Sequence, residues 1–116
     1  MEKQTEKNNR LLLTLGLCAR AGALIYGTEQ ICVAFRRGRQ TPLLVIEASD
    51  TSANTHKKLT DKCKYYKVRH TVIPHGMATL GRALGRSEVA AVGITDPQLC
   101  RAVEKQLDRQ CGSDEG

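Results

Sequence analysis

The sequence predicts an α/β domain in which a small central sheet carries helices on both faces. Three observations lead there. Helical and strand-like stretches alternate along the chain without an internal repeat or a linker. Leu43-Leu44-Val45-Ile46 is an unbroken apolar run, the pattern of a central strand covered on both sides. Thr95-Asp96-Pro97 follows a further apolar strand, Val89 to Ile94, and is a helix start with Asp96 as N-cap and Pro97 at the first helical position.

Taken in order, residues 1–7 read as a solvated tail, and Asn8 or Asn9 caps a helix running to about Arg20. Leu11, Leu12, Leu15, Leu17 and Cys18 give that helix a broad apolar face, and Gly22 ends it. A short strand at Leu24 to Tyr26 leads through Gly27 into a helix from Thr28 to Arg37, with Ile31, Ala34 and Phe35 on one face and Gly38 as its stop. Pro42 breaks the chain before the Leu43–Ile46 strand, which ends in a polar loop, Glu47 to Ser52. The next helix, about Ala53 to Lys67, sets Leu59, Cys63 and Tyr66 inward and Lys57, Lys58, Lys62 and Lys64 largely outward, a solvated face or a face for an acidic partner. His70 to Ile73 is a short strand stopped by Pro74-His75-Gly76, and Met77 to Leu84 is a short helix ending at Gly85. Leu99, Val103 and Leu107 continue the last helix at i, i+4, i+8. The expected unit is a single domain over residues 8–111, between flexible tails at 1–7 and 112–116.

A chain of 116 residues supports one modest core. With one Phe, three Tyr and no Trp that core is aliphatic, and a single-strand binder built on stacked bases is disfavoured. Residues 8–112 hold 16 basic against 8 acidic side chains, and the sequence pI is near 9.3. That balance fits a polyanion, nucleic acid before membrane, because there is neither a strongly amphipathic basic helix nor an 18-residue apolar run. Cys18, Cys32, Cys63, Cys100 and Cys111 are spaced too irregularly for a CxxC metal or redox motif. An odd number of thiols behind a polar start predicts reduced cysteines in a cytoplasmic protein, four of them packing as small hydrophobes.

The chemistry concentrates at Gly27. Glycine takes a positive φ without a Cβ clash, and the helix behind it presents unpaired N–H groups and a positive dipole end to an anion. Thr28, Glu29 and Gln30 stand in the first turn, while Arg36, Arg37 and Arg39 supply positive charge at the other end. This is either a corner that reads bases while arginines hold phosphates, or an ordinary strand-to-helix turn. Loops leaving strand C-termini tend to gather on one side of such a sheet, which makes the corners at Gly27 and at Pro74–Gly76 candidates for one site. Gly76 to Ala83 has the glycine spacing of a phosphate loop, but Arg82 and Ala83 stand where lysine and a magnesium-binding hydroxyl are needed, so a nucleotide-hydrolysing loop is excluded. Gly81 and Gly85, at GxxxG spacing, read as close helix packing. No local spacing makes a nucleophile, base and orienting group converge on His56, His70 or His75, although His75 sits in a glycine loop and merits a test. Ser49-Asp50 reads as loop and capping chemistry. No catalytic residue, cofactor or metal ligand is predicted.

The run from Asp50 to Val68 (DTSANTHKKLTDKCKYYKV), together with Leu80-Gly81-Arg82-Ala83-Leu84-Gly85, resembles the bacterial YlxQ-like proteins of the kink-turn-binding ribosomal-protein superfamily, over about Leu11 to Leu107. The resemblance implies a three-layer α/β/α sandwich with a four-stranded mixed sheet. It further implies non-catalytic binding of structured RNA, ribosomal RNA with a sharply bent kink-turn among the candidates, in a ribosome- or translation-associated role. Carried onto this chain, the helix after the glycine corner, with Gly27, Thr28, Glu29 and Gln30, reads sheared G·A pairs. Arg37 contacts phosphate, and Pro74, His75 and Gly76 rest against the bulged nucleotides. Three positions depart from the family pattern: Glu29 stands for Asn or Lys, Val33 for Lys, and Gly76 for a hydroxyl residue. Losing a cation at Val33 lowers the expected affinity, and the Glu29 carboxylate accepts from guanine while being repelled by phosphate.

Two other functions compete. The same resemblance extends to the RNA-substrate domain of some RNA methyltransferases, which makes the chain a detached recognition module, since no cofactor motif accompanies it. A protein-interaction adaptor would use the lysine-rich face of residues 57–67 against an acidic partner.

Overall fold

A computed structural model describes the backbone of residues 2–112 and the side chains of residues 10–108. Its elements are α1 (Glu2–Arg20), β1 (Leu24–Tyr26), α2 (Thr28–Arg37), β2 (Leu44–Glu47), α3 (Ala53–Tyr66), β3 (Arg69–Val72), α4 (Met77–Ala83), β4 (Ala91–Ile94) and α5 (Pro97–Gly112). The strands form one sheet in the order β1-β4-β2-β3. β4 runs antiparallel to both β1 and β2, and β2 runs parallel to β3. The result is a three-layer α/β/α sandwich with a four-stranded mixed sheet.

Strand pleating divides the core. From β2 and β4, Leu44, Ile46, Val92 and Ile94 pack with Leu11, Leu15 and Cys18 of α1, Leu80 of α4 and Val103 and Leu107 of α5. Val45 and Ala91 point the other way and meet Ile31 and Phe35 of α2 and Leu59 and Cys63 of α3. Both central strands are buried along their whole length, which is why Leu44–Ile46 carries no polar alternation; Leu43, expected in the same strand, lies before it and is exposed. An aromatic stack, Phe35 on Tyr66 with ring centroids 4.7 Å apart, ties α2 to α3.

The caps expected at Asp96 and Gly38 are formed, and Ser52 adds one not expected from the sequence. The Asp96 carboxylate accepts from the N–H groups of Gln98 and Leu99 at 2.8 and 3.0 Å. Ser52 caps α3 by accepting from Thr55 N–H at 3.1 Å, and Gly38 closes α2 in the left-handed conformation.

Several details differ from expectation. α1 opens at Glu2 rather than at a cap on Asn8 or Asn9, because Glu, Lys and Gln are good helix formers and the helix propagates through them. α5 continues to Gly112, and the expected tail at 113–116 lies outside the described residues. On α1 the inward stripe is Leu11, Leu15 and Cys18, spaced i, i+4, i+7, which leaves Leu17 exposed beside Leu13. Glu47 is the last residue of β2 and only 1% exposed, not the start of a polar loop. Gly81 does not pack on another helix: a Cβ there would lie 2.7 Å from the Ser87 carbonyl oxygen, so glycine lets the α4–β4 turn fold back on α4. The four described cysteines are free and buried, as expected of small hydrophobes.

Candidate functional site

Because β1, β2 and β3 run in one direction and β4 in the other, the segments leaving the first three strands gather at one end of the sheet. The Gly85–Ala90 loop, which enters β4, joins them there. Gly27 N–H donates to the Ala91 carbonyl at 2.9 Å, Ala48 N–H to Ala90 at 2.8 Å, and Ser49 N–H to His75 at 2.8 Å. The corners at Gly27 and Pro74–Gly76 thus share an end but not an edge. β4 and β2 stand between them, a separation of three strand spacings or about 14 Å. The immediate neighbour of Gly27 is instead the loop before β4.

The Gly27 corner has φ 89° and ψ 151°, a conformation that only glycine adopts readily. Among the described residues no side chain caps α2. Thr28 is half-buried, whereas Glu29 and Gln30 are exposed. Lys58, reaching across from α3, places its Nζ 3.0 Å from Glu29 Oε2. A cation therefore stands at the N-terminus of α2 after all, supplied by the neighbouring helix rather than by position 33.

The three arginines divide. Gln30 and Arg37, two turns apart on α2, line an open groove with Val33, Arg39 and Gln40. Arg36 turns toward α3 and shares a shallow groove with Lys58, Lys62, Tyr65 and Tyr66. A further cation comes from the α4–β4 loop: the Arg86 guanidinium lies 3.6 Å from the centre of the Tyr26 ring, a cation–π contact one residue before the corner. Arg82 and Arg86 border a larger groove that runs along Leu13 and Leu17 of α1. Arg36, Arg37, Arg39, Arg82 and Arg86 form no ion pair with a described carboxylate, so each keeps its charge for an external anion. Sequence reasoning passed over Arg86 and placed Lys58 only on a solvated or partner-binding face, away from the Gly27 corner. Only knowledge that β4 lies beside β1 and that α3 lies beside α2 would have found them.

The second expected loop faces inward more than outward. Pro74 is exposed, but the His75 carbonyl is held by Ser49, and His75 Nε2 is buried with no hydrogen-bond partner among the described residues. That burial lowers the His75 pKa below the ordinary histidine value, so the ring is neutral at pH 7. Asp50 Oδ1 accepts from Met77 N–H at 2.8 Å at the start of α4, and a Cβ at position 76 would lie 2.8 Å from Asp50 Oδ2. Gly76 is therefore small because Asp50 occupies the space where a side chain would go.

A separate cluster lies on the α2–α3 face. Glu47 accepts from His70 Nε2–H at 2.6 Å, from His56 Nδ1–H at 3.0 Å and from the Thr51 hydroxyl. Both imidazoles must donate here, because a carboxylate only accepts. Burial pushes the Glu47 carboxyl up, but the hydrogen bonds from Thr51, His56 and His70 and the charge on His56 outweigh it and hold the carboxyl below its ordinary value. Residues 47, 56 and 70 come from β2, α3 and β3, which is why no local motif announced them.

Among known proteins, the profile described as "Ribosomal protein L7Ae/L30e/S12e/Gadd45 family" matches residues 10–104. The RNA-binding protein YlxQ of Bacillus subtilis (strain 168) is 36% identical over 94 residues, which covers 81% of this chain and 91% of that one. A solved Bacillus halodurans C structure, of a protein with unknown function, superposes with a TM-score of 0.77 at 38% identity, covering 84% of this chain and 96% of that one. The Giardia lamblia 15.5kD RNA binding protein shares the fold, with a TM-score of 0.74 at 23% identity over 92% of this chain and 89% of that one.

Proposed function

The chain belongs to the ribosomal protein L7Ae/L30e/S12e/Gadd45 family, and on that premise we propose that it is a non-catalytic, translation-associated protein of the cytoplasm that binds structured RNA at a kink-turn. The observation that carries this reading is the β1–α2 corner: an uncapped helix start with exposed Glu29 and Gln30, flanked by Lys58 from α3 and Arg86 from the loop before β4. Gln30 and the Glu29 carboxylate offer hydrogen bonds to base edges at the bend. Arg37 and Arg39, in the groove beside Gln30, hold the backbone on one side, and Arg86 and Arg82 hold it on the other. Lys58 offsets the repulsion between the Glu29 carboxylate and phosphate. Pro74, His75 and Gly76 reach only an RNA that extends along the sheet end past β4 and β2.

The adaptor reading loses ground because two of the lysines it needs are already engaged: Lys57 with Asp61 and Lys58 with Glu29, each at 3.0 Å. Titration of a kink-turn RNA and of the same duplex without its bulge, at two salt concentrations, tests the proposal. Tighter binding of the bent RNA at both salts is expected. Arg37→Ala should weaken both RNAs and reduce the salt slope by about one charge, whereas Gln30→Ala should weaken the kink-turn preferentially. Equal loss on both RNAs for Gln30→Ala would remove the base-reading role.

A further inference from the structure

We propose that Glu47, His56 and His70 bind one borderline divalent transition-metal ion, zinc being the natural probe, through a carboxylate oxygen and two imidazole nitrogens. The inference is independent of RNA binding and begins with the donor set. Glu47 Oε, His56 Nδ1 and His70 Nε2 all lie within 4.8 Å of one another, and Glu47 is only 1% exposed. Zinc takes nitrogen and oxygen ligands at about 2.0–2.2 Å, which requires donors a little over 3 Å apart. His56 Nδ1 is 3.0 Å and His70 Nε2 is 2.6 Å from the carboxylate, so displacements of well under an ångström for one ring and about that for the other bring these two distances to the required spacing, while the two imidazole nitrogens, within 4.8 Å of each other, turn toward the same ion. Two imidazoles and one carboxylate favour a zinc-class ion over calcium or magnesium, which prefer oxygen throughout.

The surroundings suit this role. His70 comes from the edge strand β3, Glu47 from its sheet partner β2 and His56 from α3, so an ion would tie α3 to a strand pair that sheet hydrogen bonds already join. His56 is about half exposed, with a side-chain exposure of 52%, which gives the ion a route from solvent. Thr51, already bonded to Glu47, orients the carboxylate from outside the ligand set. On binding, each imidazole turns a lone pair to the ion. Its proton moves to the other ring nitrogen or, from a charged ring, to solvent.

The test uses the full chain, stripped with chelator and kept reduced with a phosphine that does not compete for zinc. Titration with zinc chloride against a chromophoric competitor should show saturation at one ion per chain, together with a rise in melting temperature. His56→Ala, at an exposed position, should fold normally by circular dichroism yet bind more than about ten-fold more weakly, since even outer-shell losses cost that much. Cobalt substitution should give d–d bands without thiolate charge transfer. Three results would overturn the proposal: no saturable uptake, uptake unchanged in both His56→Ala and His70→Ala, or a thiolate charge-transfer band placing the ion on cysteine.

Discussion

Replacing Gly27 with alanine isolates one physical term. A Cβ built there meets no atom within 4 Å, so no steric clash contributes. The cost is backbone conformation alone: φ 89° with ψ 151° lies in a region essentially reserved for glycine, and holding a non-glycine residue there costs about 1–3 kcal/mol. Alanine also removes freedom from the unfolded chain, which returns about 0.4–1 kcal/mol. The net loss is about 0.5–2 kcal/mol, and at about 4 °C per kcal/mol for a domain of this size the melting temperature should fall by roughly 2–8 °C. Relief of the strain by rotation would break the Gly27–Ala91 hydrogen bond and displace the first turn of α2, so kink-turn affinity should fall as well. Gly38, with φ 72° and ψ 12°, supplies the comparison: it sits in the left-handed helical well that asparagine tolerates. Gly38→Asn should therefore be nearly neutral, whereas Gly27→Asn should not be. Thermal melts followed by far-UV circular dichroism measure all three variants. A Gly27→Ala protein that melts at or above the parent temperature and binds RNA normally would refute the reasoning.

Lys58→Ala should change stability by less than about 1 kcal/mol, because the pair with Glu29 is exposed, yet weaken RNA binding at low salt by leaving the carboxylate unopposed. Adding Glu29→Gln should recover part of that loss, and a titration series over the two variants checks it. His75, whose pKa is lowered by burial, binds protons more readily when unfolded; its contribution is complete above the ordinary value of 6.5 and is lost as pH falls through the lower folded value. Denaturant melts across that window should show stability declining with acid, and His75→Phe should flatten this limb. Burial raises the Cys18 and Cys63 thiols to about 11, so at pH 8 both should resist alkylation in the native state and react on unfolding, as followed by mass spectrometry.

The sequence carried those parts of the fold that local physics decides. An apolar run without alternation marks β2 as central, Asp96-Pro97 starts α5 and Gly27 turns the chain into α2, each within a few residues. It could not carry what depends on strand order. The two glycine corners are candidates for one site because loops leaving strand ends gather on one side of a sheet, but β4 and β2 intervene, and the partner of Gly27 becomes the loop bearing Arg86. Glu29 meets Lys58 across 29 residues and Glu47 meets His70 across 23, contacts fixed by helix placement and by the parallel register of β2 on β3. Tyr26 reads in the sequence as one more strand residue, and only the placement of the loop before β4 sets Arg86 over its ring.

The central position of β4 also governs when the protein can be assembled. β4 is the last strand in the chain, yet it fills the gap between β1 and β2, pairing Ile94 with both Leu24 and Leu44. Until about residue 94 has been made, β1 has no sheet to join, and Gly27 N–H lacks its acceptor on Ala91. Closure of so long a loop is a slow, non-local step. A nascent chain would thus acquire its β1–α2 corner late in synthesis, as part of the same event that completes the sheet.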